Sequence, residues 1–191
     1  MPSTPEPKFH QPRFLVVTGL ILGAALLRLV SMPESWQNFQ PVGAIALFGG
    51  ACFLSRRLAF IVPLAAMLLS DVLLYAGRYE YLAEHGWKSA LFVYLSFSLI
   101  IGLGLLLRER RNWATVLVGS LAATLVFYLV SNFGWWMLYD LPAGRSLAQT
   151  YVNAIPFIRG TLAGDLFYNG VLFGLFALAE HRIPVLKPAQ A

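Results

Sequence analysis

The sequence predicts an all-α membrane protein, a bundle of about six transmembrane helices. Hydrophobic residues make up 58% of the 191 positions and charged residues only 12%, whereas soluble domains carry about 25% charged residues. Six apolar segments follow one another along the chain, and most basic residues lie between them. A soluble domain of this length cannot bury so much apolar surface, and the length allows one domain.

The six apolar segments are 14–31, 42–54, 58–76, 89–107, 113–139 and 157–180. A helix needs about 20 residues to cross the hydrocarbon core. The second segment is shorter than that, and its glycines weaken a regular helix. Because irregular backbone cannot face lipid, we expect a short or broken helix there, sheltered by the rest of the protein. Four segments are clear spans and two are less clear.

The domain organisation follows from these segments. Residues 1–12, which contain four prolines, are expected to form a disordered cytoplasmic arm. Residues 13–182 form the six-helix transmembrane domain, and 183–191 a cytoplasmic tail. The first apolar segment is expected to be a retained helix and not a signal peptide, since Arg28 interrupts its end and no small-residue cleavage site follows cleanly.

Basic residues predict the orientation through the positive-inside rule. With six spans, one side of the membrane receives Lys8, Arg13, Arg56, Arg57, Arg108, Arg110, Arg111, Arg182 and Lys187. The other side receives Arg78, Lys88, Arg145 and Arg159. The larger group favours both termini in the cytoplasm. The basic excess is therefore a topology signal, and we expect no nucleic-acid partner.

Ionisable and amide side chains inside the predicted spans gather in the outward half. Such groups cost a few kcal/mol each in a membrane, so each needs a reason. One interpretation is a buried Arg28–Asp71 or Arg28–Asp165 ion pair that holds the bundle together. The other is a polar site, open to the outside, that binds a small solute between helices. The two are compatible. The candidate binding or supporting residues are Arg28, Asn38, Asp71, Asn132, Arg159 and Asp165.

Catalytic signatures are missing from the sequence. It has no G-x-S-x-G, no H-E-x-x-H, no P-loop and no C-x-x-C. The single cysteine, Cys52, excludes an internal disulfide framework and a multi-cysteine metal site. Asp71 and Asp165 could form an intramembrane carboxylate pair, but the flanking glycines usual for such proteases are absent. We expect no enzyme activity, no cofactor and no metal.

Three pairs of glycines are spaced as in helix-packing motifs. They are Gly19 and Gly23, Gly160 and Gly164, and Gly170 and Gly174. Packing within the chain would explain most of them. Gly19 and Gly23 could instead dock another membrane subunit.

Four blocks of sequence resemble an uncharacterised bacterial family of membrane proteins described as putative transport proteins. The blocks are NFQPVGAIALFGGACF, RLAFIVPLAAMLLSDVLL, FYLVSNFGWWM and YVNAIPFIRGTLAGDLFYNGVLFG, within residues 14–180. The family is distantly similar to the S components of energy-coupling factor (ECF) vitamin transporters. That resemblance implies six spans, cytoplasmic termini, a solute site beneath the outer loops, and a first helix that docks an energising subunit through residues such as Gly19 and Gly23.

These observations together predict a solute-binding or transport protein of the bacterial inner membrane. It would capture a small, vitamin- or cofactor-like molecule from the outer side. An ATP-driven partner, with an energising membrane subunit and ATPases, would then be needed because this chain has no nucleotide site. The alternative is a non-transporting structural subunit of a larger membrane complex, in which the glycine stripes would be contact surface.

Overall fold

The computed structural model describes residues 12–30, 38–75 and 87–186. In these ranges the protein forms six α-helices and no β-strand. The helices are α1 (Pro12–Leu27), α2 (Val42–Cys52), α3 (Arg56–Tyr75), α4 (Trp87–Leu106), α5 (Trp113–Trp135) and α6 (Leu147–Arg182). A π-helical turn, Trp136–Asp140, extends α5, and a 3-10 turn, Pro184–Leu186, follows α6. The predicted all-helical class and the six helical segments are confirmed for the described residues.

Four of these helices, α3 to α6, are long and apolar enough to cross a membrane. The other two are shorter, with 16 residues in α1 and 11 in α2. This agrees with the four clear spans predicted from the sequence. Of the predicted cytoplasmic arm, 1–12, only Pro12 is described, and it begins α1.

Helix α2 lies at the centre of the bundle. Every residue from Gly43 to Cys52 is buried, and α2 contacts each of the other five helices. It packs most extensively on α4, where Gly50 and Gly104 face each other so closely that a Cβ on either would meet the other's backbone. The prediction of a short helix sheltered by protein is confirmed, and the helix is unbroken.

The sixth helix begins earlier than predicted. The sequence indicated 157–180, but α6 runs from Leu147 to Arg182. Ser146 caps its first turn in a reciprocal capping box with Gln149, which satisfies amide groups that a helix start leaves free. Pro156 lies inside this helix, as Pro63 lies inside α3. The error arose because residues 147–156 are more polar than a span and end in a proline.

The two ends of the bundle carry different polar clusters. We call one the Glu180 end, after the contacts among Arg13, Arg111 and Glu180, and the other the Asp71 end, after the contacts of Arg28 and Asp71. In the predicted orientation the Glu180 end is cytoplasmic and the Asp71 end faces outward. This orientation stays a prediction.

Candidate functional site

Arg28 and Asp71 form an ion pair at the Asp71 end. Arg28 lies just after α1, and its Nη2 is 2.7 Å from Asp71 Oδ1. Its Nη1 donates to Ser70 Oγ, and its Nε is 3.5 Å from Gln40 Oε1. Tyr94 of α4 donates its hydroxyl to Asp71 Oδ2 at 2.8 Å. This Arg28 cluster joins α1, α3 and α4 to the segment before α2, so of the two pairs that the sequence left open, Arg28–Asp71 is the one formed.

Asp165 belongs to a second cluster, between α5 and α6. Thr124 Oγ1 donates to Asp165 Oδ2 at 2.6 Å, and one turn away Asn169 Nδ2 donates to Ser120 Oγ at 2.9 Å. All four side chains are buried. Within the described ranges, Asp165 Oδ1 and Asn169 Oδ1 have no hydrogen-bond partner. We call these residues the α5–α6 polar cluster.

The carboxyl group of Asp165 lies against the first turn of α2. A Cβ on Gly43 would collide with that carboxyl group, so the contact requires a residue without a side chain. The N-cap residue of α2, Pro41, provides no capping side chain. Helix N-termini leave backbone N–H groups free and carry partial positive charge, which favours a nearby carboxylate. Asp165 thus places a carboxyl group at the helix end where α2 has no capping side chain of its own.

Asn38 and Asn132 line a cavity of about 150 Å³ between α5, α6 and the segment before α2. The other lining residues are Phe127, Tyr128, Ser131, Ala154, Phe157, Ile158 and Thr161. Asn132 Nδ2 donates to the carbonyl of Tyr128 at 2.8 Å within α5, which fixes the orientation of its amide. We call this space the Asn38 cavity. It combines amides, hydroxyls and aromatic rings, which is the chemistry of a small-molecule site.

Two glycines of α6 bring the segment before α2 to the cavity. Gly160 packs on the backbone of Asn38, and Gly164 packs on that of Phe39 and Gln40. Next to the cavity, two tyrosine hydroxyl groups join α5 to α6. Tyr128 of α5 donates to the carbonyl of Tyr151 at 2.6 Å, and Tyr151 of α6 donates to the carbonyl of Leu129 at 2.7 Å. The predicted packing role of the Gly160 and Gly164 pair is therefore confirmed, although the partner is a loop segment.

The remaining predicted residues lie apart from this cavity. Arg159 is exposed and is not among the cavity's lining residues. Gly19 and Gly23 are exposed on α1, and a Cβ on either would meet nothing within 4 Å. Gly170 and Gly174 are equally open, so the expectation that most glycine pairs pack within the chain is wrong for two of the three.

The sequence interpretation missed a cluster at the Glu180 end. Arg13, 6% exposed, donates to Glu180 Oε1 at 2.7 Å, to the Cys52 carbonyl at 3.0 Å and to the Leu186 carbonyl at 2.5 Å. Arg111 shares the same carboxylate oxygen at 3.1 Å. Both guanidinium groups lie over the ring of Phe176, at 5.0 and 5.6 Å from its centroid. The only sequence signal was Glu180 itself, an acid among basic neighbours.

These contacts also satisfy the C-terminal end of α2. Arg13 binds the carbonyl of Cys52, and Arg108 Nε binds that of Gly50 at 3.0 Å. The last carbonyls of a helix have no partner within it and carry partial negative charge, so cations are favourable there. The predicted tail contributes as well, since Leu186 is buried and accepts from Arg13. Its residues 187–191 lie outside the described ranges.

A family model matches residues 8–186 of the chain. The chain belongs to the DUF6580 family. That family is described as one of unknown function, which agrees with the predicted membership of an uncharacterised family. No curated protein and no solved structure matches the chain. The more distant resemblance to ECF S components stays a prediction for this DUF6580 protein.

Proposed function

We propose that this DUF6580 protein binds a small polar or aromatic solute in the Asn38 cavity and takes part in its transport across the bacterial inner membrane. The observation that carries the proposal is the cavity itself. It brings together Asn38 and Asn132, two residues singled out from the sequence, and adds the polar groups of Tyr128, Ser131 and Thr161. In the predicted orientation the cavity lies in the outward half, where a solute would be captured.

The size of the cavity narrows the class of solute. Its volume is about 150 Å³, whereas pockets for drug-sized ligands measure about 300–1,000 Å³. Among the residues that the structure describes, the cavity therefore favours a solute smaller than the vitamins implied by the ECF resemblance. Its lining combines amide and hydroxyl groups with the rings of Phe127 and Phe157, which suits a compact molecule with polar edges.

Transport would need an energising partner, because the sequence has no nucleotide-binding motif. The exposed pair Gly19 and Gly23 on α1 supports a docking role for that helix, since small residues allow close approach of a second helix. The Arg28 cluster and Asp165 would then be supporting elements, which hold the segment before α2 and the start of α2 in position.

The proposal is tested by identifying small molecules that remain bound to the detergent-purified protein, by mass spectrometry after extraction. We expect a compound at near-stoichiometric amount in the wild type. An Asn132→Leu variant should lose at least nine-tenths of it, about 1.4 kcal/mol or more of binding free energy. Asn153→Leu is the matched control, because Asn153 is exposed on α6 and is not a lining residue.

Retention of the same compound by wild type, Asn132→Leu and Asn153→Leu would contradict binding in the Asn38 cavity. A second candidate function, a structural subunit of a larger membrane complex, is favoured by the two open glycine pairs on α1 and α6. Light scattering coupled to chromatography, on the protein extracted in mild detergent, distinguishes the two candidate functions. A subunit would elute with stoichiometric partner chains and without a bound solute.

A further inference from the structure

A groove on the outer surface of the bundle runs between α5 and α6 from the Glu180 end. Its volume is about 450 Å³. Gly170, Gly174 and Ala177 form one wall, Val116 and Leu117 the other, and Ser120 lies at its far end. A Cβ on Gly170 or Gly174 would meet no atom within 4 Å, so these glycines leave space that the chain does not fill. We call this the α5–α6 groove.

The length of the groove matches one leaflet. Along α5 it extends from Asn112 to Ser120, about 12 Å at 1.5 Å per residue, and along α6 from Glu180 to Leu166, about 21 Å. Half of a hydrocarbon core of about 30 Å is about 15 Å. The two lengths lie on either side of this value, so the groove is long enough for one acyl chain that runs from the membrane boundary to about the middle of the bilayer.

The mouth of the groove carries positive charge. Arg111 and Glu180 line it, and the Glu180 carboxylate is shared by the guanidinium groups of Arg111 and Arg13. Two cations against one anion leave one positive charge uncompensated. Glu109 and Arg110, which precede Arg111 in the chain, are both exposed, and their charges offset each other. Trp113, 82% exposed, stands at the start of α5, where an indole ring prefers the headgroup region.

We propose that the α5–α6 groove binds one anionic phospholipid, with an acyl chain against Gly170 and Gly174 and the phosphate at Arg111. Basic pockets between transmembrane helices bind acidic headgroups for the same reason, the pairing of guanidinium and phosphate in a partly desolvated place. The proposal does not depend on the solute in the Asn38 cavity or on the predicted orientation, because it requires only that Arg111 lie at headgroup depth.

The test measures lipid binding to the purified, delipidated full chain by native mass spectrometry. The probes are phosphatidylglycerol and phosphatidylcholine with identical acyl chains. We expect the wild type to prefer phosphatidylglycerol by about fivefold or more, the factor given by one interfacial arginine. Gly174→Leu should fill the groove and reduce binding at least tenfold. Gly19→Leu is the matched control, because it adds the same side chain to an equally open helical glycine on α1.

The variant Arg111→Gln separates the contribution of the lipid headgroup to binding from that of the acyl chain. It should reduce binding of phosphatidylglycerol to nearly the level of phosphatidylcholine and leave binding of phosphatidylcholine unchanged. If this variant unfolds because Glu180 loses a partner, the glycine variants decide the question alone. Equal binding of the two lipids by the wild type, or equal binding by Gly174→Leu and Gly19→Leu, would overturn the proposal.

Discussion

The two ends of α2 differ in the side chains that lie against their free backbone groups. A short buried helix leaves backbone groups of opposite partial charge at its two ends, and water cannot satisfy them within a membrane. At the C-terminal end, Arg13 and Arg108 donate to the carbonyls of Cys52 and Gly50, and Arg13 is itself paired with Glu180. At the N-terminal end, the carboxyl group of Asp165 lies against Gly43 and forms no ion pair with any residue of the described ranges.

The difference indicates which end is structural. Arg13 of α1 and Arg108, just after α4, bind carbonyl groups at the C-terminal end, and Glu180 of α6 holds Arg13 in place. In the described ranges, the carboxyl group beside the N-terminal end accepts one hydrogen bond, from Thr124, and its Oδ1 atom has no partner. The N-terminal end also adjoins the segment that carries Asn38. We therefore expect the C-terminal end to govern stability and the N-terminal end to respond to a solute.

The largest loss of stability should follow Arg13→Ala. The change leaves Glu180 with one cation and removes donors from the carbonyls of Cys52 and Leu186. Breaking a buried ion pair costs about 3–5 kcal/mol. Equilibrium unfolding in mixed micelles measures it, with Arg57→Ala as the control because Arg57 is exposed at the same end. A loss below about 1 kcal/mol would mean that this cluster does not hold α2.

A smaller loss should follow Asp71→Asn. This change leaves Arg28 without its carboxylate, but the side chain of Asp71 is 23% exposed and solvent screens part of the interaction. We expect a loss of about 1–3 kcal/mol in the same unfolding assay. Glu109→Gln, at an exposed site, is the control. In a double-mutant cycle, Asp71→Asn should cost little in an Arg28→Gln background. Additive losses would show that the two residues are not coupled.

The sequence predicted where the helices lie along the chain better than it predicted which way their side chains face around the helix axis. Apolar length was enough for six helices and for the shelter around α2. Arg28, Asp71 and Asp165 were each recognised as costly in a membrane, but which carboxylate pairs with Arg28 depends on helix rotation. Helix α6 has apolar residues on all sides, so its hydrophobic pattern did not predict that Arg159 would be exposed and Asp165 buried.

The Glu180 cluster was missed for a different reason. Arg13 and Glu180 are separated by 167 positions, and each looks like an ordinary charge at a membrane boundary. The excess of basic residues at that end predicts topology, and this interpretation obscured the structural role of Arg13 and Arg111. A helix as short and buried as α2 needs hydrogen-bond donors for its last carbonyl groups, and this requirement was the signal that the sequence interpretation did not use.

The smallest effect on stability should follow Asp165→Asn, although Asp165 is only 1% exposed. The amide keeps an oxygen for Thr124, and no cation loses a partner among the described residues. The variant loses an interaction of about 0.3–2 kcal/mol with the start of α2, and it also removes the cost of burying a carboxylate, which is several kcal/mol. These effects oppose each other, so we expect a change within about 1 kcal/mol in the assay used for Asp71→Asn. The two variants make the same chemical change, but Asp71 is paired with Arg28, whereas Asp165 forms no ion pair within the described ranges. A loss at Asp165 equal to or above that at Asp71 would show that the N-terminal end of α2 is as structural as its C-terminal end. Retention of stability, combined with reduced retention of the bound solute, would instead identify this end as the part of α2 that the solute affects.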